Sequence, residues 1–171
     1  MIFIIKKTMT KDNEYFSTKE NDGYKRLQHF NDLKHFFSTI GRTPPTYDFD
    51  ASGRTTEDKP VSIEIKTRDL NLTEDNKVSG STFIDDTLLI EARKMADLLL
   101  DYTITGAIPL YINFLNNAVI IFNFSKMKEK PCKKFFKAQN YGQKGMELGN
   151  RYLLPIKDAY IYRYGEGEQW K

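Results

Sequence analysis

Two short stretches of the sequence carry charged side chains at every second position. Asp48 and Asp50 are two residues apart, and Glu64 and Lys66 repeat this spacing further along the chain. Successive side chains of a β-strand point to opposite faces, so each pair would share one face of its strand. If the two strands are neighbours in a sheet, three carboxylates and one ammonium group lie within a few ångströms of one another.

Carboxylates gathered in this way repel one another, and a divalent cation relieves the repulsion. Oxygen ligands at this density suit Mg²⁺ or Mn²⁺ better than Zn²⁺. Such a metal polarises a phosphoryl oxygen and lowers the pKa of a bound water. Lys66 would then orient that water or stabilise charge that develops on the phosphate. The alternative is an amphipathic hairpin whose polar face is solvated and carries a simple Glu–Lys pair.

The residues around these side chains favour a β-hairpin. Residues 46–52 and 61–67 each alternate apolar with polar side chains, and residues 53–60 form a polar turn between them. Two adjacent alternating runs joined by a polar loop predict an antiparallel pair of strands.

Two amphipathic segments are predicted to be helices that position the hairpin. Apolar residues spaced by three and four predict a helix over residues 24–40, after a break at Asn21-Asp22-Gly23 and before Gly41. A broad apolar face predicts a second helix over residues 87–103, with Asp85 or Asp86 as its N-cap and Gly106 at its end.

The remaining apolar segments predict further strands. Residues 108–115 and 118–124 flank Asn116-Asn117, which is a hairpin turn signal. Shorter strands are expected at 81–84, 151–154 and 159–164. The resulting order of helices and hairpins predicts an α+β or mixed α/β domain.

The string Glu64-Ile-Lys-Thr-Arg68, preceded by a strand that carries aspartate, resembles the PD-(D/E)XK nuclease superfamily. The helix Leu89-Ile-Glu-Ala-Arg-Lys94 and the strand Pro109-Leu-Tyr-Ile-Asn-Phe114 resemble the elements that follow this motif in small prophage and bacterial members. The resemblance covers about residues 14–125. It implies the fold of restriction endonucleases and Holliday-junction resolvases, with a central mixed β-sheet flanked by helices.

The resemblance also implies roles for individual residues. Glu64 matches the acidic metal ligand of the motif, and Lys66 matches its catalytic lysine. The motif aspartate is Asp48 or Asp50, and we prefer Asp48 because it follows an aromatic residue at the start of its strand. The expected catalytic residues are therefore Asp48, Glu64 and Lys66, and Asp50 is an alternate or outer ligand of Mg²⁺ or Mn²⁺. The Pro-Asp dipeptide of the motif is absent, since Tyr47 precedes Asp48.

Two further basic residues are candidates for contacts with nucleic acid. Arg68 follows the motif on its polar side and would either reach a phosphate or lie on the surface. Lys94 lies where related nucleases hold a helix residue near the scissile phosphate. It is also three residues after Glu91, a spacing that favours an ion pair.

A basic stretch follows the last long apolar strand. Six lysines stand against one acid, Glu129, between residues 126 and 137. Lys133 and Lys134 are the expected phosphate contacts, because lysines neutralise phosphates and release counterions. The neighbouring Phe135 and Phe136 would either stack on unpaired bases or return to the core.

Composition narrows the class of protein. The 171 residues, net charge of +3 and single cysteine predict one domain without a disulfide framework: a nuclease-like core over 14–125, then a basic loop and short strands over 126–171. No apolar run approaches the roughly 18 residues of a membrane span, and the N-terminus does not resemble a signal peptide. We therefore expect a cytoplasmic protein.

These features together predict a Mg²⁺-dependent endo- or exodeoxyribonuclease with DNA as its partner. A homodimer is one expected form, because such enzymes are often dimers. The alternative is a non-catalytic module that binds nucleic acid or protein on a nuclease-like scaffold.

Overall fold

A computed structural model describes residues 11–44, 46–127, 131–136 and 149–170, with the side chains of 11–17, 132–136 and 149 left aside. Its helices are α1 (Lys11–Lys34) and α2 (Ala92–Thr105). Its strands are β1 (Phe37–Arg42), β2 (Ala51–Thr55), β3 (Pro60–Thr67), β4 (Asn71–Leu72), β5 (Val78–Ser79), β6 (Ile84–Asp85), β7 (Thr87–Glu91), β8 (Ile108–Phe114), β9 (Ala118–Asn123), β10 (Cys132–Phe136), β11 (Gly149–Pro155) and β12 (Tyr160–Arg163).

The centre of the fold is a mixed sheet of six strands in the order β1-β2-β3-β8-β9-β12. Strands β3 and β8 are parallel, and every other neighbouring pair in this sheet is antiparallel. Two sheets of three strands accompany it, β10-β11-β7 and β4-β5-β6. The predicted mixed α/β architecture, with a central sheet flanked by two helices, is confirmed.

Both faces of the central sheet are covered. Leu27 and Phe30 of α1 belong to an apolar cluster on one face, and Leu98 of α2 belongs to a second cluster on the other. Strands β8 and β9 are almost wholly buried, as expected for strands that pack on both faces. We refer below to the α1 face and the α2 face of the sheet.

The predicted hairpin is confirmed, but its first strand begins later than expected. Strands β2 and β3 pair antiparallel, with Ala51 opposite Ile63. Asp48 and Asp50 lie in the bend that precedes β2, so the strand predicted over 46–52 was wrong at residues 46–50. The Asp50 N–H still donates to the Ile63 carbonyl at 3.0 Å, which holds the bend against β3.

The first helix ends earlier than predicted, and the segment after it is a strand. Asn31 joins the helix end to the following strand, because its Oδ1 accepts the Phe37 N–H at 2.7 Å and its Nδ2 donates to the Phe37 carbonyl at 3.1 Å. His35 takes a left-handed conformation with φ of 49° at the helix end. The predicted break before residue 24 was also wrong. Gly23 lies inside α1 and allows the helix to approach Ile65 closely.

The second helix begins later than predicted, because its first residues form β7. Leu88 and Ile90 of β7 are buried, and β7 pairs antiparallel with β11. Asp85 accepts from the Thr87 N–H at 2.9 Å and does not cap the helix. The helix ends at Gly106, as predicted.

The later strand predictions were largely correct. Residues 108–115, 118–124, 151–154 and 159–164 correspond to β8, β9, β11 and β12, with ends shifted by a few residues. The strand expected at 81–84 is present only as the short β6.

We predict that Gly53 is required for the pairing that holds the bend. A Cβ at this position would lie 2.0 Å from the main-chain oxygen of Thr39 in the neighbouring strand, whereas a Cβ at Gly41 would meet nothing within 4 Å. Gly53→Ala should lower the free energy of unfolding by about 1–3 kcal/mol in urea denaturation. Gly41→Ala, the matched control on β1, should change it by less than about 0.5 kcal/mol. Equal effects of the two variants would contradict this account.

Candidate functional site

Glu64 lies in the middle of β3 on the α2 face of the sheet. Tyr111 of β8 is opposite Glu64 in the parallel register, and Ser62 donates a hydrogen bond to Asp101 of α2. Only 12% of the Glu64 side chain is exposed. A solvated polar face, the simpler alternative from the sequence, is therefore ruled out at Glu64.

An ion pair joins this glutamate to α2. The Lys94 ammonium lies 3.2 Å from Glu64 Oε2. Burial raises the pKa of the Glu64 carboxyl from 4.5 to about 8, and the charge of Asp50 adds to this shift, while Lys94 and Lys66 oppose it. Burial disfavours the charged form of Lys94, but the carboxylates of Glu64 and Asp50 outweigh it and raise the pKa of Lys94. The pair therefore combines an ammonium group whose pKa is raised with a carboxyl group whose pKa is about 8.

Asp50 and Asp48 approach Glu64 in different ways. Asp50 is half-buried, and its Oδ2 accepts the Ile65 N–H at 2.8 Å. Asp48 is exposed, and its main-chain carbonyl accepts from Lys94 Nζ at 3.2 Å. Asp50 is thus an aspartate whose charge raises the pKa of Glu64, whereas Asp48 is the residue that the sequence favours as the motif aspartate. Asp48 reaches the ion pair through its main chain.

Lys66 lies two residues beyond Glu64, next to a narrow polar cleft. Loss of water around its ammonium lowers the pKa of Lys66, and the positive charge of Arg68 lowers it further. Glu91 and Glu64 partly offset these effects. The residue as a whole is exposed, and it lines the cleft.

The cleft has a volume of about 80 Å³ and is lined mainly by charged side chains. Glu64 and Glu91 supply negative charge, and the positive residues are Lys66, Arg68, Lys94 and Arg151. This excess of cations over carboxylates favours an anionic ligand.

Arg68 forms the floor of the cleft. Its Nε donates to Asn113 Oδ1 at 2.8 Å, and its Nη2 donates to the Leu89 carbonyl at 2.7 Å and to the Tyr111 hydroxyl at 2.9 Å. Tyr111 also donates to the Leu89 carbonyl. Two of the three guanidinium nitrogens, Nε and Nη2, thus form hydrogen bonds that connect the end of β3 to β7 and β8.

Some residues of the cleft had no local signal in the sequence. Arg151 reaches it because β11 pairs with β7, which sets Arg151 opposite Glu91. Tyr111 lies in a strand that is mostly apolar in sequence. Glu91 was expected as a helical partner of Lys94, but it ends β7 immediately before α2. Lys94 itself was predicted as a phosphate contact, and the structure pairs it with Glu64.

Within the basic stretch, the two lysines predicted to contact phosphate are located through their main chain only. Lys133 and Lys134 lie in β10, opposite Tyr152 and Arg151 of β11. Their side chains, and residues 128–130 and 137–148, lie outside the described part of the structure. The predicted contacts of Lys133 and Lys134 with phosphate therefore stay predictions.

Among the described residues, no group of three or more His, Cys, Asp or Glu side chains comes together where it could hold a metal ion.

No described helix is both long enough and apolar enough to cross a membrane. No protein-family model, no curated protein and no solved structure matches the chain. The site must therefore be interpreted from its own chemistry.

We predict that Glu64 makes stability depend on pH. Because the native carboxyl holds a proton that the unfolded chain releases above pH 4.5, stability should fall as the pH rises from that value to about 8. Glu64→Gln should remove this loss, which is at most about 1.4 kcal/mol per pH unit.

Urea unfolding with a chelator at about pH 5, 7 and 9 measures the effect. Glu166→Gln, the same change at an exposed position, is the control. The difference between Glu64→Gln and the native chain should grow with pH, in favour of the variant. Parallel pH profiles for these two proteins would refute the assignment.

Proposed function

We propose that the protein is a metal-dependent nuclease that hydrolyses DNA phosphodiester bonds at the cleft around Glu64. The observation that carries this proposal is the convergence of four groups from three elements. Glu64 and Lys66 of β3 and Lys94 of α2 line a cation-rich cleft, and Asp50 of the bend binds the Ile65 N–H and acts on the charge of Glu64. In this set, the carboxylates are groups that can bind a metal ion, and the ammonium of Lys66 is a group that can contact a phosphate.

The oxygen atoms near Lys94 fit a hard divalent cation. The carboxylates of Glu64 and Asp50 and the carbonyl of Asp48 would hold it, and each is an oxygen donor of the kind that Mg²⁺ prefers. Two of these three groups already bind a positive charge, the Lys94 ammonium. When bound, the metal would supply Lewis-acid activation of a phosphoryl oxygen and of a water molecule.

The side chains of the cleft would bind and orient the substrate. Lys66 is directed to the phosphate that reacts, where its ammonium stabilises negative charge that grows in the transition state. Arg151 of β11 also lines the cleft and adds positive charge to its wall. Arg68, held by Asn113 and Tyr111, fixes the distance between the strands that carry these groups.

The order of the elements also supports the proposal. A helix, an antiparallel pair that carries Glu64 and Lys66, a second helix and an apolar strand occur in this order as α1, β2–β3, α2 and β8, with β1 between α1 and β2 and the short strands β4 to β7 before α2. This is the order that the resemblance to the PD-(D/E)XK superfamily implies.

A second candidate function is a non-catalytic module that binds nucleic acid or protein. The Lys94–Glu64 ion pair favours it, because an ammonium among the acidic oxygens competes with a metal. The small volume of the cleft also favours contacts with single phosphates over the enclosure of a substrate.

We predict that Lys66 acts on rate and not on affinity. With Mg²⁺ or Mn²⁺, the protein should cut at least one of a panel of labelled single strands, duplexes, flaps and four-way junctions. Lys66→Ala should lower the single-turnover rate by about 10²–10³, the usual effect of removing one transition-state donor. Glu64→Ala should abolish the activity. Lys25→Ala, an exposed position on α1, is the control and should retain full activity.

Binding measured by fluorescence anisotropy without metal separates the two candidates. If Lys66→Ala weakens binding but leaves the rate at saturation unchanged, or if the native protein binds DNA and cuts no substrate, the nuclease proposal fails. The binding-module function then replaces it.

We predict that replacing Lys94 exposes the competition between ammonium and metal. Lys94→Met keeps the length of the side chain but leaves the Glu64 carboxylate without its partner. Above about pH 8, its free energy of unfolding without metal should fall by about 1–3 kcal/mol. Saturating Mg²⁺ should then raise the melting temperature of the variant more than that of the native protein, because binding to the native state stabilises it. Equal shifts would count against a metal among these oxygens.

A further inference from the structure

A second and much larger cavity lies at the opposite end of β3 and β8. Its volume is about 940 Å³, which is at the upper end of the range for small-molecule sites. Val61 and Ile108, near the starts of the two parallel strands, both line it. None of its described lining residues is shared with the cleft around Glu64. We call it the basic cavity.

The floor of the basic cavity is apolar, and polar residues such as Thr55 and Asn123 also line the cavity. Its floor consists of Val61, Leu110 and Ile121, which are neighbours on the α1 face of the sheet and are 1%, 4% and 3% exposed. Half-buried Phe36 and exposed Tyr160 form a wall, with their ring centroids 6.1 Å apart. Such a lining binds the apolar body of a ligand by removing it from water.

The cavity lies where α1 ceases to cover the sheet. The helix ends at Lys34, and Lys34 itself lines the cavity. The apolar strand residues beyond this point are therefore not covered by helix.

The rim of the cavity is positively charged. Lys34, Lys59, Lys126 and Lys157 line it, against two carboxylates, Glu57 and Asp158. Lys59 is paired with Glu57 at 2.5 Å. Lys126 and Lys157 are exposed and lie on two separate 3₁₀ turns. An excess of lysines over acids at the mouth of an apolar chamber attracts an anionic group while the chamber takes an apolar one.

We propose that the basic cavity binds a small molecule that has an apolar body and one anionic group. The apolar body lies on the Val61–Leu110–Ile121 floor, and the anionic group lies at the rim near Lys126 and Lys157. This site is independent of the proposed nuclease cleft, and its test does not require catalysis.

Two fluorescent probes with the same body test both parts of the proposal. 8-Anilinonaphthalene-1-sulfonate carries an anionic group, and N-phenyl-1-naphthylamine has the same rings without it. Each probe should bind the full chain saturably, at one site per molecule. Ala159→Trp, which fills the cavity from its wall, should weaken both probes. Ile108→Trp is the second filling variant, and circular dichroism shows which of the two retains the native fold.

Charge reversal separates the rim from the floor. Lys126→Glu with Lys157→Glu should weaken the sulfonate probe by about tenfold, as expected for the loss of two exposed ion pairs. It should leave the neutral probe unchanged. Lys25→Glu with Arg93→Glu makes the same change of net charge on exposed helix positions and should affect neither probe.

Three results would overturn the proposal. The first is the absence of saturable binding of both probes to the native protein. The second is a folded filling variant that binds both probes as the native chain does. The third is an equal effect of the two charge reversals on the sulfonate probe, because net charge and not the rim would then account for its binding.

Discussion

The parallel pairing of β3 with β8 is the constraint on which the rest of the structure depends. Two parallel neighbours cannot be joined by a tight turn, so the chain between Thr67 and Ile108 must return along one face of the sheet. That return carries α2, which packs on β3 and β8. As a result, the face of β3 that bears Glu64 is covered by a helix, and Lys94 of that helix meets the buried acid.

The buried carboxyl of Glu64 lowers the stability of the fold when it ionises, and the same property makes it sensitive to a charged ligand. Burial and the nearby Asp50 both oppose the ionised form of Glu64, and only positive charge relieves them. Lys94 supplies that charge within the chain. A divalent ion or the phosphates of a ligand would change the same balance, because each acts on the carboxylates or on the lysine that neutralises them. Because the ionised form of Glu64 is destabilised, a ligand that binds in the cleft would also change the stability of the sheet.

Local sequence patterns predicted an element correctly where the spacing of its apolar residues fits only one type of secondary structure. The long apolar runs of β8 and β9 and the alternation through Ile63 and Glu64 are examples. The prediction failed at 87–91, where an apolar run fits a helix or a strand equally well and pairing with distant β11 decides. The proximity of Glu64 and Lys66 was predictable because two residues separate them. The presence of Arg151 was not, because only that same distant pairing brings it to the cleft.

The two faces of β3 explain why the molecule has two unlike cavities. On the α2 face the crossover buries charged groups, and the space left over is small and polar. The α1 face of the same strand carries Val61, Ile63, Ile65 and Thr67, three of which are apolar, so the floor of the cavity on that side is apolar. That space lies beyond the end of α1. At this end, the Asn31 side chain forms hydrogen bonds with both the N–H and the carbonyl of Phe37. The contact between Asn31 and Phe37 therefore lies at the point where helix stops covering the apolar face of the sheet, away from the crossover that forms the cleft.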